Sequence, residues 1–566
     1  APSVHAQGVT SASLNGIVVD ETGESLPGAN VVAVHEPSGT QYGVSTRADG
    51  RFTFPSVRVG GPYTVTVTFV GYESVRKTGL QLRLGQERSL EFTLSPQTEE
   101  LDEVVVSGEA DSDADRTGAA TAVNQEQIDA LPTISRSTQD FTRLTPQSDG
   151  LSFGGRNTQY NNFSVDGSIF NNPYGLDSPV PGGQTNAQPV SLDAVEQVQV
   201  SIAPFDVREG GFTGAGVNTV TKSGTNEFKG TAYYFTRNEN FIGDQVGDAE
   251  LFEADLSFGQ YGASLGGPII EDKLFFFANV EVVRRDDPGS TFRADGPGVS
   301  GANVSRVDAD TMDAIRDRLI NVYDYDPGTY GEGYTLGTEN EKILAKLDYN
   351  ISPGNTASVR FNYLNASRDL NANPVAIFQR GPSPTALPFS NAGYTINNKI
   401  YSIVGETNLT IGNRFANKTI VGYTAFRDNR DAFSPRPFPT IEILKGGTSY
   451  TTAGFEPFSI NNLLDQDVIQ FTNNLSIFAG SHTITAGVNY EQFIFNNSFN
   501  LFKYGFFVDT PPAGTLFLSP QQFLDYTDPA LRNTKPCRDD NGELIDYGND
   551  PTCFLELDGF VDRASP

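Results

Sequence analysis

Between residues 14 and 94, apolar and polar side chains alternate in short runs separated by turn residues. The runs 15–20, 29–34, 43–46, 52–54, 63–69 and 89–94 each carry the two-residue period of a half-buried strand. Glu21-Thr22-Gly23-Glu24 interrupts the pattern once. Asp49-Gly50 interrupts it again, and Asp-Gly between two strands predicts a hairpin. Short strands with such closely spaced turns predict a β-sandwich over residues 14–94.

The alternation then stops. Residues 95–110 read as a linker in which Glu99-Glu100-Leu101-Asp102-Glu103 precedes Val104-Val105-Val106, followed by Ser107-Gly108-Glu109. An extended apolar patch between flexible polar residues suits strand addition to a partner, and a last edge strand of the sandwich is the competing reading. From 111 to 226 short helices mix with strands. Residues 125–131 predict a helix stopped by Pro132, and 137–144 a second one. Gly154-Gly155-Arg156 forms a turn, and a strand from Asn162 ends in Val165-Asp166-Gly167. Residues 190–200 read as a helical turn running into a strand, and 210–226 are rich in glycine. The spacing Gly211-x-x-Gly214 invites a phosphate loop, but no Lys-Ser/Thr follows it and no βαβ unit surrounds it. Glycine there serves tight turns and close backbone approach.

From Phe228 the strands lengthen. Candidates lie at 228–237, 256–269, 273–282, 342–350, 357–365, 399–411, 415–427, 467–478 and 482–495. A length of roughly ten residues is what a tilted strand needs to cross the hydrocarbon core. Long polar insertions at 286–339 and 370–398 alternate with tight turns such as Ser352-Pro353-Gly354-Asn355, as extracellular loops alternate with periplasmic turns. No stretch of about 18 apolar residues offers a spanning helix. Residues 227–566 are thus expected to form part of an antiparallel transmembrane barrel. An open sheet would leave edges that lipid cannot satisfy, so further strands are expected to close it.

The motifs carry a family resemblance. Gly16-x-Val18-x-Asp20-x-x-Gly23, Leu26-Pro27-Gly28-Ala29-x-Val31, Thr46-x-x-Asp49-Gly50-x-Phe52 and Phe69-Val70-Gly71-Tyr72 resemble the carboxypeptidase regulatory-like domain, a transthyretin-like sandwich without implied peptidase activity. Gly266-Gly267-Pro268-Ile269 followed by Lys273-Leu274-Phe275-Phe276-Phe277 resembles the first barrel strands of the Oar-like (OmpA-related) branch of TonB-dependent outer-membrane receptors. The succession of sandwich, linker, mixed segment and long strands resembles that family over nearly the whole chain. The resemblance implies an all-β architecture: the sandwich in the periplasm, an α+β plug at 111–226, and a barrel of about 22 strands in outer-membrane lipid. It makes Glu103, Val104, Val105, Val106, Ser107 and Gly108 a TonB-box-like segment for a TonB-type energising complex. It also makes Gly154, Gly155, Arg156, Val165, Asp166 and Gly167 the plug motif. The implied function is movement of an unnamed extracellular substrate across the outer membrane. A non-transporting surface adhesin on a barrel scaffold is the alternative, and a secreted carbohydrate-binding or enzymatic β-protein the third.

Composition narrows the partners. Forty Phe, 22 Tyr and no Trp supply aromatic girdles, and a net charge of −30 argues against a nucleic-acid partner. The acidity reads either as a hydrated surface or as adaptation to high salt. Cys537 and Cys553 form one close pair, which suits a loop disulfide in an exported protein, with two free thiols as the other reading. The intervening Arg538-Asp539-Asp540-Asn541-Gly542-Glu543 falls short of a calcium loop. His5, His35 and His482 have no spaced partners, and His35-Glu36 beside a turn reads as surface. With no Gly-x-Ser-x-Gly, Cys-x-x-Cys or HExxH, no catalytic, cofactor or metal site is expected and the chain does not read as an enzyme. Val4-His5-Ala6 resembles the end of a signal peptide, making 1–13 a leader remnant. Arg563-Ala564-Ser565-Pro566 does not resemble a final barrel strand, so the natural chain is expected to continue.

Overall fold

The structure, a computed structural model, describes residues 9–97, 104–107, 118–530, 537–538 and 544–545, apart from interior gaps at 134, 151, 173, 175–181, 205, 244, 247–248, 251–254, 302, 374–377, 460–461 and 500–514.

Seven strands make the sandwich: β1 (Ala12–Asp20), β2 (Asn30–His35), β3 (Thr40–Ser45), β4 (Arg51–Val57), β5 (Gly60–Thr68), β6 (Val75–Leu82) and β7 (Glu87–Leu94). One sheet has the order β4-β1-β7 and the other β3-β2-β5-β6, with β8 (Val104–Ser107) added beside β6. Alternation puts Leu14 and Val18 of β1 and Tyr63, Val65 and Val67 of β5 into a core shared with Phe52, Phe54 and Phe92. Gly16 is a steric requirement: a Cβ there would lie 2.1 Å from the Leu90 carbonyl oxygen and 2.6 Å from the Phe52 ring.

The expected hairpin at Asp49-Gly50 is not formed. The turn is present, but β3 and β4 belong to different sheets. Thr46 causes the departure. Its N–H donates to the Ala29 carbonyl at 2.9 Å, its hydroxyl donates to the Leu26 carbonyl at 2.6 Å, and that hydroxyl accepts from the Ala29 N–H at 2.9 Å. The chain is thereby tied to the segment preceding β2 before it crosses to the facing sheet. Strand β6 was not legible, because Arg76-Lys77 and Gly79 interrupt its alternation.

The mixed segment holds β9 (Gly118–Val123), α1 (Gln125–Ala130), α2 (Gln139–Thr142), β10 (Ser148–Asp149), β11 (Ser152–Phe153), β12 (Asn162–Val165), β13 (Ser168–Ile169), β14 (Val195–Pro204) and β15 (Gly216–Thr221). Helix α1 starts at a capping box between Asn124 and Gln127 and ends before Pro132, as expected. A sheet of order β13-β12-β15-β14-β9 forms the plug. Every residue of β12 and β15 is buried, which a small sheet achieves only when other elements cover both its faces.

The cover is a nine-stranded antiparallel sheet: β16 (Lys229–Asn238), β19 (Ser257–Ile270), β20 (Leu274–Pro288), β23 (Thr335–Ser352), β24 (Asn355–Leu370), β25 (Tyr394–Ile411), β26 (Phe415–Ala432), β29 (Leu463–Ala479) and β30 (His482–Ser498). The connections carry β17 (Gln245–Val246), β18 (Ala249–Glu250), β21 (Arg293–Asp295), β22 (Val304–Asp308), α3 (Ala309–Tyr323), β27 (Ile441–Lys445), β28 (Thr448–Ala453), β31 (Leu516–Phe517) and α4 (Pro520–Tyr526). Alternation is two-sided. Leu347 pairs with Val359 and Phe361 with Ile403, all exposed on the outer face, whereas Lys346 pairs with Arg360 and Asn362 with Ser402, all buried on the inner face. An apolar outside over a polar inside is the pattern of a membrane barrel wall.

The strands exceed the expected ten residues, reaching 18 in β23, β25 and β26. The excess lies at the long-loop end and is polar there. Arg284 pairs with Glu341 at 2.7 Å and Arg427 with Asp467 at 2.7 Å, so the ladder continues beyond the apolar band.

The long insertions are not plain polar loops. Met312, Ile315, Leu319 and Tyr323 recur at helical spacing on α3, which Asp308 caps. They pack with Tyr325, Phe389, Phe438, Ile441, Tyr450, Phe517 and Phe523 into a separate core, where Tyr325 and Phe438 stack at 3.9 Å. Arg380 and Glu456, both fully buried, pair at 2.8 Å in this cap. Also buried, Glu442 accepts from Ser449 at 2.5 Å and Thr452 at 2.7 Å, and burial pushes its carboxyl up to about 7.

Candidate functional site: the latch between plug and barrel wall

Asp166 and Gly167 are the two central residues of the turn joining β12 to β13, with φ of 44° and 74°. Two positive φ values in a two-residue hairpin turn are what Asp-Gly accommodates best. The turn folds the Asp166 carboxylate back onto β15: the Thr221 N–H donates to Oδ1 at 2.9 Å and the Thr221 hydroxyl to Oδ2 at 2.5 Å.

Two cations of the barrel wall face the same carboxylate. Lys346 Nζ on β23 lies 3.7 Å from Oδ1, and Arg360 Nη1 on β24 lies 3.7 Å from Oδ2. Both also bind plug backbone: Arg360 donates to the Val165 carbonyl at 2.9 Å and Lys346 to the Thr221 carbonyl at 3.1 Å. Three further strands hold the turn. Ser168 Oγ lies 3.2 Å from Ser402 Oγ on β25 and 3.1 Å from Thr424 Oγ1 on β26, and Gln470 Nε2 on β29 donates to the Gly167 carbonyl at 2.9 Å. Five consecutive wall strands thus grip one hairpin.

A second grip lies near the other edge of the wall sheet. Ser191 of the plug donates to Glu281 Oε2 at 2.8 Å, and Glu281 also accepts from Lys342 at 2.6 Å and Tyr233 at 2.6 Å. Plug Asp193 accepts from Thr231 at 2.7 Å and Asn279 at 3.1 Å, and the plug's Arg136 guanidinium sits 4.1 Å from the Phe235 ring centroid. Contacts of this kind can be exchanged for water in a polar bore.

The structure separates the halves of the expected plug motif. Val165, Asp166 and Gly167 are in the latch, whereas Gly154, Gly155 and Arg156 form an exposed turn after β11. Sequence reasoning missed Lys346 and Arg360. The available signal was charge on inward positions of strands whose outward positions are apolar.

The segment Val104 to Ser107 is extended and takes the place of the competing reading, a last edge strand of the sandwich. Its backbone runs parallel to β6, with Val104 beside Val75 and Ser107 beside Thr78, because β6 offers a free edge. Glu103 and Gly108 lie outside the described residues. His35 is a correction: it is buried rather than a surface residue, with Nδ1 2.7 Å from Ser38 Oγ. It takes the inward position after Val31 and Ala33 on β2, and burial, helped by Arg58, lowers its pKa to about 3. Cys537 pairs by backbone with Ile545, while Cys553, and with it the expected disulfide, lies outside the described residues. Among the described residues, no group of three or more His, Cys, Asp or Glu is arranged for a metal ion.

Comparison with known proteins gives a family match at 220–516 to an outer membrane beta barrel domain, and at 13–95 to a carboxypeptidase regulatory-like domain. The TonB-dependent transporter Oar of Myxococcus xanthus is 28% identical over 388 residues, covering 62% of this chain and 33% of that protein. The chain therefore spans about a third of that relative's length. Among solved structures, the outer membrane transporter YddB from Escherichia coli matches with a TM-score of 0.45 at 16% identity, over 66% of this chain and 48% of that one. The siderophore receptor PirA from Pseudomonas aeruginosa matches with 0.39 at 14% identity, over 68% and 49%.

Proposed function

This chain belongs to the outer membrane beta barrel domain family and resides in the outer membrane, and from that premise we propose that it is a TonB-dependent transporter. It moves a substrate across the outer membrane with energy delivered by a TonB-type complex in the periplasm. The observation that carries this reading is the Asp166 latch, through which five wall strands hold the plug hairpin by polar contacts, beside an apolar seam in which wall residues Leu364, Ile400 and Phe426 pack with plug residues Val165 and Phe170. The hydrogen bonds and ion pairs of the latch can be replaced by water, so the apolar seam is what resists release of the plug. A surface adhesin has no use for a removable stopper. No catalytic role is assigned.

Residues 103–108 precede β9 in the chain. Among the described residues that strand pairs only with β14, and it is built largely of Gly and Ala, which makes it the weakest edge of the plug sheet. Among the described residues the outer edges of β16 and β30 carry no strand, and a barrel in lipid closes such edges with further strands, up to the roughly 22 of a plugged transporter barrel. Deleting residues 103–108 from the complete protein is expected to abolish energised uptake while leaving substrate binding at the cell surface intact. Unchanged uptake by the deletion variant would refute the role.

A further inference from the structure

We propose that the sandwich is a periplasmic lid, and that the energising partner pulls on this lid rather than on a free tail. The inference rests on residues 103–108 being the partner's binding segment. Three observations carry it.

First, β8 is already the terminal strand of the sandwich sheet β3-β2-β5-β6-β8, and among the described residues its other edge carries no strand. A partner strand can therefore add to that outer edge as the sixth strand of a formed sheet without displacing β6.

Second, the sandwich is fastened across the short-turn end of the wall. The Gly354 N–H donates to the Gln41 carbonyl and the Asn226 N–H to the Pro37 carbonyl, each at 2.9 Å. Asn350 donates to Thr40 Oγ1 at 3.0 Å, Thr10 donates to Glu406 at 2.7 Å, and Arg58 lies 3.9 Å from Asp348.

Third, the sandwich is fastened to the plug strand that borders β9. Gln197 on β14 accepts from the Leu84 N–H at 2.8 Å and donates to the Leu82 carbonyl at 3.3 Å, while Gln199 donates to the Leu84 carbonyl at 3.2 Å.

Between these attachments sits a cavity of about 460 Å³ whose lining includes His35 and Arg58 of the sandwich, Asp166 and Lys222 of the plug, and Lys346 and Glu406 of the wall. The sandwich thus roofs the latch from the periplasmic side. The seam is mostly polar, apart from a small cluster of Val59, Leu84 and Val220 with Val9. Lifting the sandwich exposes the latch to water and draws on β14 through Gln197 and Gln199 in the same movement.

Cysteine cross-linking in energised and protonophore-treated cells, using the full-length protein otherwise free of cysteine, tests this. One pair, Thr40→Cys with Asn350→Cys, reports the lid–wall seam, and Arg58→Cys with Asp348→Cys repeats it should the first misfold. The other pair, Arg76→Cys with Val105→Cys, reports the β6–β8 ladder. The expected result is a severalfold fall in lid–wall cross-linking on energisation, with β6–β8 cross-linking unchanged, and loss of that difference in cells lacking the partner. A fall at β6–β8 with the lid–wall pair unchanged would overturn the lid and favour a peeled tail. No change in either pair would also overturn it. Binding of the purified periplasmic domain of the partner to the wild type but not to the 103–108 deletion would then show that the partner site itself survives.

Discussion

Replacing Asp166 by Asn is expected to cost the latch about 3–5 kcal/mol, the usual consequence of removing one member of a buried ion pair. The change keeps the size of the side chain and an acceptor for the Thr221 N–H, so the loss falls on charge. Arg360, 1% exposed, and Lys346, 8% exposed, would face a neutral amide with little surface of their own in contact with water. Hydrogen exchange should then quicken in β12, β13 and β15, while the ladder between β24 and β25, held by its own register of backbone bonds, keeps its protection. Replacing Arg360 by Met in the same chain should recover part of the loss, since an apolar pair of similar volume avoids the unpaired cation. Unaltered exchange in the plug strands of the Asn variant would mean that the hairpin is held by shape alone.

The second large effect is expected in the cap. Glu456→Gln removes the carboxylate from the fully buried Arg380, whose guanidinium also lies 5.2 Å from the Phe458 ring centroid. The cost is again about 3–5 kcal/mol, but of local stability, because the cap has its own core. Limited proteolysis should open residues 289–334 and 371–393 while the barrel wall remains resistant. Wild-type resistance in the cap would show that the pair contributes nothing to holding it closed.

Both sites show what was legible in the chain and why the rest was not. Strand periodicity and turn chemistry are local, so the sandwich, the short helix before Pro132 and the long strands could be read directly. Asp166-Gly167 was legible for the same reason, as a turn that needs positive φ. Its partners were not, because Lys346 and Arg360 are distant in the chain and reach Asp166 only once the wall curves around the plug. Failures came where a local signal was overruled from afar. Asp49-Gly50 makes a turn but no hairpin, since Thr46 ties its strand to residues 26 and 29. His35 sits beside a turn yet points inward as the last residue of β2. Helix α3 hid among aspartates, because four apolar positions are a faint stripe until a separate core is there to receive them. The valine segment reads as extended in either state, and only the free edge of β6 decides what it pairs with.

Neighbouring positions on one strand give the most direct test of a lipid-embedded wall around a filled bore. Ile403 on β25 is 50% exposed on the outer face, and the preceding Ser402, 1% exposed, touches Ser168 of the plug. With a nitroxide at each position in turn, in the complete protein reconstituted into liposomes, the account predicts that the label at 403 collides with oxygen far more than with a water-soluble nickel chelate. At 402 it predicts few collisions with either. Nickel collisions dominating at 403, or equal access at the two positions, would contradict it.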